Sequence, residues 1–398
     1  MKNYEHGITI KTLLIILGIL LVFSGIIIGL TLSNNVKDRT KNNTNTYDQK
    51  DNTNTSDSKL NNTEDTLKKG VFAKLYDTDG DSNGDVLFLS NNKDSFYSNG
   101  ELIKDYNNQN NTEIQSDSTS DPLWKDDDFK TIYINDCITP KALYNWFSGK
   151  RNLIQIENIN RINTKYITTF KNLFNGCYNL LNVDISNWNS SKVTEASYMF
   201  GDCKKINNIN LNGLDFSKVT SMDNMFYNCE KIESIDLSTL DTSSLTNANS
   251  IFYGCKSLTN LNLTNFNTSK LTTLYQMFYR CESLEKVDVS GFKTNEVISI
   301  SEMFTLCEKL KTIDISSWNV SKITDYKEAF SNCSELKTIY VSPSFKLNKD
   351  ASGSSIFLSC ENLVGGANTA WKAENSNDIK YSHIDEGIDN PGYFTIKK

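Results

Sequence analysis

The sequence predicts an α/β solenoid of about eight 26-residue coils, closed by a cap at each end, and three observations predict it. Cysteines stand at positions 177, 203, 229, 255, 281, 307 and 333, a strict period of 26, and Cys360 follows after 27. A phenylalanine lies three residues before each: Phe174, Phe200, Phe226, Phe252, Phe278, Phe304, Phe330 and Phe357. A leucine or isoleucine lies three residues after each: Leu180, Ile206, Ile232, Leu258, Leu284, Leu310, Leu336 and Leu363. A fixed period of this length means stacked units that cannot bury their apolar faces alone.

One unit, LLNVDISNWNSSKVTEASYMFGDC, shows how each piece should fold. NVDIS alternates, so Val183 and Ile185 should face inward and Asp184 outward on a short strand. Trp188, with equivalents Leu214, Leu240, Phe266, Phe292 and Trp318, should pack at the next turn. Val193, Ala196, Met199 and Phe200 are spaced for one face of a short helical turn. Thr194, Thr220, Thr246, Thr272 and Thr324 stand where they would cap it, and Ile298 is the exception. Stacked strands about 4.8 Å apart would then make a continuous parallel sheet, in a rod on the order of 40 Å long. The register reaches back one coil, where Phe147, Lys150 and Leu153 repeat the triplet with lysine in place of cysteine.

The solenoid is assigned to residues 150–362, and the segments around it follow in order. Residues 1–11 are a short cytoplasmic N-terminus. Residues 12–32 carry no charge and at 1.5 Å per residue would span roughly 30 Å as a helix, so they read as a transmembrane signal anchor. The apolar run exceeds a signal-peptide core, and no A-x-A-like site follows it. Flanking charges do not set its orientation, because Lys2 and Lys11 precede it and Lys37, Arg39 and Lys41 follow. The large domain is placed outside the cell, since such domains translocate largely regardless of charge. Residues 33–68 are almost without hydrophobic side chains and are expected to form a disordered tether.

Residues 69–149 form the N-terminal cap. VFAKLYD and DVLFLS read as strands around a DTDGDSNG turn, FKTIYIND as a third strand, and the polar stretch 106–121 as a loop. TPKALYNWF reads as a helix with Thr139 as N-cap and Pro140 at its first position. Residues 363–398, with Trp371 and Tyr381, form the C-terminal cap.

The net charge of −7, with no basic block, argues against a nucleic-acid partner. The repeated cysteines fit buried thiols better than disulfides, because stacked equivalents point the same way. No two cysteines are close enough for a C-x₂-C metal site. Asp79, Asp81, Asn83 and Asp85 match the first half of an EF-hand loop, but its twelfth position is Ser90, so a polar hairpin turn is the simpler reading. Asp184, Asn210, Asp236, Asn262, Asp288 and Asp314 occupy the outward strand position, as a solvated face or as a polar strip for a partner. The two histidines, His6 and His383, lie outside the repeats, and no nucleophile elbow or phosphate loop appears. No cofactor is expected. A carboxylate-pair hydrolase remains the enzyme reading, and nothing in the sequence selects a pair.

Units such as MFYNCEKIESIDLSTLDTSSLTNANSIF resemble the 26-residue repeat of the BspA-like leucine-rich-repeat surface proteins, a repeat type also found in mycoplasma lipoproteins. The resemblance runs from about Tyr133 to Phe394 and includes ITPKALYNWFSG and the closing GGANTAW and YSHIDEGIDNPGYFT segments. It implies a leucine-rich-repeat solenoid without catalytic residues, in a surface-exposed or secreted protein of a kind often assigned to adhesion or host-protein binding; the expected partner is an extracellular protein or glycan. The chain departs from wall-attached members in having no LPxTG-like sequence, and from lipoprotein members in having no lipobox, so attachment is expected to rest on the N-terminal helix. A structural envelope protein that associates with its own kind is the alternative.

Overall fold

The computed structural model describes residues 71–106 and 121–398. The cytoplasmic segment, the anchor, the tether and most of the 106–121 loop lie outside the described residues. Among the described residues, no helix is long and apolar enough to cross a membrane.

The chain opens with β1 (Phe72–Asp77) and β2 (Val86–Ser90), paired antiparallel across the DTDGDSNG turn that separates them. β3 (Glu101–Asp105) lies antiparallel on the outer edge of β1, with a register shift at Leu75/Tyr76. The sequence reading missed this strand, whose apolar residues remain exposed. β4 (Thr131–Ile134) pairs parallel with β2, and β5 (Gln155–Glu157) pairs parallel with β4. The cap therefore shares one five-stranded sheet, ordered β3-β1-β2-β4-β5, with the first coil.

The helix expected over Thr139–Phe147 does not form; that segment is a run of turns. No α-helix forms among the described residues, which corrects the helical half of the expected α/β class. The helical pieces are three-residue 3-10 turns at Ile159–Arg161, Ala373–Asn375 and Ile379–Tyr381.

The coils replace helices with a ribbon of linked turns. Tyr198 and Asp202 both adopt left-handed backbone, with φ of 54°, and such a four-residue-spaced pair recurs in coil after coil. Between them the amides alternate in direction. Met199, Gly201 and Cys203 donate to the carbonyls three residues back, at 3.1–3.2 Å. Tyr198, Phe200 and Asp202 donate instead to Asp223, Met225 and Tyr227 of the next coil, at 2.9, 2.9 and 2.6 Å. Left-handed residues turn alternate amides outward, so the ribbon is hydrogen-bonded between coils as a sheet would be. The repeated threonines do not cap helices. Thr220 and Thr246 donate their hydroxyls to the carbonyls of Thr194 and Thr220, one coil earlier, at 3.1 and 3.0 Å.

Inside the ribbon the phenylalanines stack. Consecutive rings from Phe147 to Phe357 sit 5.3–6.0 Å apart, with interplanar angles of 24° or less. The inward residues are buried as read, including Val183, Ile185, Trp188, Val193, Ala196 and Met199. The strand side is less regular, and the expected continuous sheet is interrupted. β6 (Asn182–Asp184) pairs with β7 (Asn208–Asn210), and β8 (Ser234–Asp236) pairs with β9 (Asn260–Asn262). β10 (Thr312–Asp314), β11 (Thr338–Val341) and β12 (Phe394–Ile396) form a third parallel sheet. Residues 286–288 form no strand, and nothing in the structure explains why this coil is the one left open. The breaks are tolerated because the turn ribbon already ties each coil to the next.

Candidate functional site

The repeated cysteines are free, and the eight in the coils are buried. Each thiol donates to the carbonyl of the phenylalanine one coil back. Cys203 reaches Phe174 at 3.1 Å, Cys229 reaches Phe200 at 3.2 Å and Cys255 reaches Phe226 at 3.2 Å. The same carbonyl also accepts the amide of the cysteine in its own coil, as in Cys229 N–H to Phe226 O at 3.1 Å. Burial pushes every one of these thiols up, to about 12 at Cys307 and Cys360, so they are protonated and unreactive.

The two ends of the ladder need other donors. Lys150, 1 % exposed, donates its ammonium to the carbonyls of Trp124, Lys125 and Asp127 at 2.7, 2.7 and 2.6 Å. Burial pulls its pKa down, against the charges of Asp128, Asp127 and Asp126. At the far end no cysteine follows Phe357, and the Trp371 indole donates to its carbonyl at 2.8 Å. Asp385, 6 % exposed, organises the C-terminal cap by accepting the amides of Ala367 and Thr369 and the Thr369 hydroxyl at 2.7–2.9 Å.

The outward strand residues have a local role that the spacing alone did not reveal. Asp184 accepts the amide of Ser186, Asn210 that of Asn212 and Asp236 that of Ser238, at 3.1, 3.2 and 2.9 Å. Asn262, Asp288 and Asp314 do the same for Thr264, Ser290 and Ser316. These are Asx turns that end the strands, and the one at Asp288 forms where the coil has no strand; the D/N-x-S/T/N pattern in the sequence was their signal. Hydrogen bonds from Ser186, Ser238 and Ser290 hold Asp184, Asp236 and Asp288 below the usual carboxylate range. Burial pulls Asp314 upward, but Lys397 and Ser316 outweigh it. A second Asx turn recurs five residues later, where Asp215 and Asp241 accept the amides of Ser217 and Ser243 at 3.0 and 2.9 Å.

The EF-hand-like residues do not converge as a set. Asp79 and Asp85 come together with Asp77, their carboxylate oxygens within 4.8 Å of one another. Lys130 already supplies a cation there, at 3.0 Å from Asp79 and 2.7 Å from Asp85. Asp77, absent from the sequence-based set, binds the amides of Asp79, Gly80 and Ser82. Asp81 accepts the amide of Asn83 at 2.8 Å and stays exposed. The arrangement is a braced hairpin turn.

The surface that sequence reading missed lies on the turn ribbon. Tyr227, Tyr253 and Tyr279 occupy one position in three adjacent coils, with ring centroids 4.5 and 4.6 Å apart and interplanar angles of 15° and 2°. Tyr198 continues the row at 6.4 Å from Tyr227, tilted by 50°. All four rings are half-buried. Their common spacing of 26 is visible from Tyr227 to Tyr279, and that period was the available signal.

The repeats match the family described as "Mycoplasma protein of unknown function, DUF285" over residues 141–261 and 230–343, which together span more than half of the 398-residue chain. No curated protein matches the sequence. The chain is similar to a crystallised leucine-rich-repeat protein from Bacteroides ovatus at 15% identity, over 74% of this chain and 92% of that one, with a TM-score of 0.22. It is similar to another from Eubacterium ventriosum at 16% identity, over 75% and 76% of the two chains, with a TM-score of 0.29. The solenoid is shown by the coils themselves, through their inter-coil hydrogen bonds and stacked phenylalanines. In sequence and repeat architecture, then, the chain belongs to the family described as "Mycoplasma protein of unknown function, DUF285".

Proposed function

We propose that this chain is a membrane-anchored surface protein that presents its solenoid, adhesin-like, to an extracellular protein or glycan. The observation that carries the reading is the layout of the coils. Their interior is filled by hydrogen-bonded thiols and stacked phenylalanines, whereas the turn ribbon leaves a half-buried tyrosine row at its surface. Solenoids bind through such extended faces, and tyrosine is enriched where protein surfaces recognise partners. The uncharged run at residues 12–32 supports a membrane anchor, and the polar segment after it supports a spacer. Nothing in the site chemistry favours catalysis: the carboxylates on the strand side lock turns, and the thiols are protonated.

Two measurements test the reading. Protease added to intact cells should remove the repeat domain while cytoplasmic controls survive; protection until lysis would reverse the topology and end the adhesion reading. The detergent-solubilised full chain should then retain at least one protein or glycan on an array of matrix, serum and envelope components. A blank array would remove the support for binding and leave self-association, read as concentration-dependent sedimentation, as the structural alternative.

A further inference from the structure

Resting on that reading, we infer that the tyrosine row is the docking strip, and that its occupant is an extended, lysine- or arginine-rich polypeptide segment. The rings are not required by the coil. At the equivalent position other coils carry Gly201, Thr305 and Ser331, and the ribbon closes around them unchanged. Asp202 N–H to Tyr227 O, Arg280 N–H to Thr305 O and Leu306 N–H to Ser331 O measure 2.6, 2.8 and 2.9 Å. A side chain that the backbone does not need, repeated in three consecutive coils, is there for what it presents outward.

What it presents is set by the stacking. Faces 4.5–4.6 Å apart cover one another, so the row offers ring edges and hydroxyls. With Tyr198 included, the steps of 6.4, 4.5 and 4.6 Å make a strip that about five residues of extended chain would follow. The charge of the occupant follows from the Tyr198 end. Glu195, Asp202 and Asp223 gather there, and none of them takes part in an ion pair among the described residues. Burial first and the neighbouring Glu195 next push the Asp223 carboxyl up, against hydrogen bonds from Asn224 and Asn247 and the more distant charge of Lys171. The base beside Tyr279, Arg280, is by contrast already paired with Glu282 at 2.8 Å. An acidic, tyrosine-edged strip would attract a basic chain and repel an acidic one.

The test uses the full chain in detergent and a fluorescent ten-residue peptide alternating lysine and serine, followed by anisotropy. The peptide should bind, weaken as salt rises, and lose about tenfold in affinity on Tyr253→Ser and again on Asp202→Asn. Serine already serves at this position as Ser331, so Tyr253→Ser should keep its melting temperature close to that of the parent chain. Asp236→Asn, on the strand side, should leave the peptide affinity unchanged. Equal binding by the Tyr253→Ser chain, or binding of the glutamate-for-lysine peptide, would overturn the assignment. If the chain captures an array ligand but not the cationic peptide, this inference falls while the wider binding reading stands; if it captures neither, both fall.

Discussion

The turn side and the strand side of the coils are built from the same 26-residue repeat, yet they hold the solenoid unequally. On the turn side, alternate amides cross to the next coil throughout, and the phenylalanine column is unbroken from Phe147 to Phe357. On the strand side the sheet is in pieces, and residues 286–288 do not pair as a strand. The difference teaches that a repeat described by its strands and leucines can draw its cohesion from turns. It also explains why the phenylalanine–cysteine pair is the most regular part of the sequence: it sits where coils are tied.

The largest test of this contrast is alkaline pH. Eight buried thiols have folded pKa values raised by burial, with Cys307 and Cys360 near 12. A raised pKa means that the folded state holds its proton more tightly than the unfolded chain. The contribution is therefore complete below the unfolded thiol pKa of about 8.5 and is lost as pH rises toward the folded value. Each thiol removes about 1.4 kcal/mol per pH unit once well inside that window. Melting temperature should thus fall steeply above about pH 9, and a Cys203→Val, Cys229→Val chain should show a shallower fall. A flat profile to pH 10 would mean that the thiols are not buried as described. In the same preparation at pH 8, a thiol reagent should label the exposed Cys137 and leave the other eight until the chain is denatured.

Next in size is the phenylalanine column. Phe252 is fully buried, stacked between Phe226 at 5.9 Å and Phe278 at 5.7 Å. Phe252→Ala should cost about 3–5 kcal/mol in chemical denaturation. Val287→Ala, on the open part of the strand side, should cost about 1 kcal/mol. Equal losses would erase the asymmetry. The ends of the ladder should fall between these values. Lys150→Met keeps the buried stem but strips a donor from three carbonyls, and about 2–3 kcal/mol of stability should go with it.

Much of this was legible in the sequence, and what was not has a physical reason. The Phe–Cys–Leu register, the inward strand residues and Lys150 as a substitute for cysteine all follow from periodicity, because burial repeats with the coil. The helical turn was misread because Val193, Ala196, Met199, Phe200 and Cys203 have the i, i+3, i+4 spacing of an amphipathic helix. Linked three-residue turns place apolar groups at nearly the same intervals. The distinguishing feature is a left-handed residue twice per coil, and only some coils announce it, with Asn172 and Gly176 or Asn224 and Asn228. Others place Gln276, Leu306 or Glu328 there, where composition says nothing about backbone. At the candidate site, the acidic strand column is visible in the spacing, but the same spacing suits a solvated face as well as Asx turns, and only the backbone geometry separates the two. The tyrosine row was overlooked because only part of the solenoid carries it.

The smallest expected effect sharpens the strand side itself. If Asp236 serves to end β8 by accepting the Ser238 amide, then charge is irrelevant to its structural role. Asn210 and Asn262 already perform the same task in the coils on either side. Asp236→Asn should therefore change stability by less than about 0.5 kcal/mol, whereas Asp236→Ala, which removes the acceptor, should cost about 1 kcal/mol. The pair of variants separates two uses of one residue. A neutral Asp236→Asn that also keeps ligand affinity confines the column to turn-making. A neutral Asp236→Asn that loses affinity would move the binding face from the turn ribbon to the strand side.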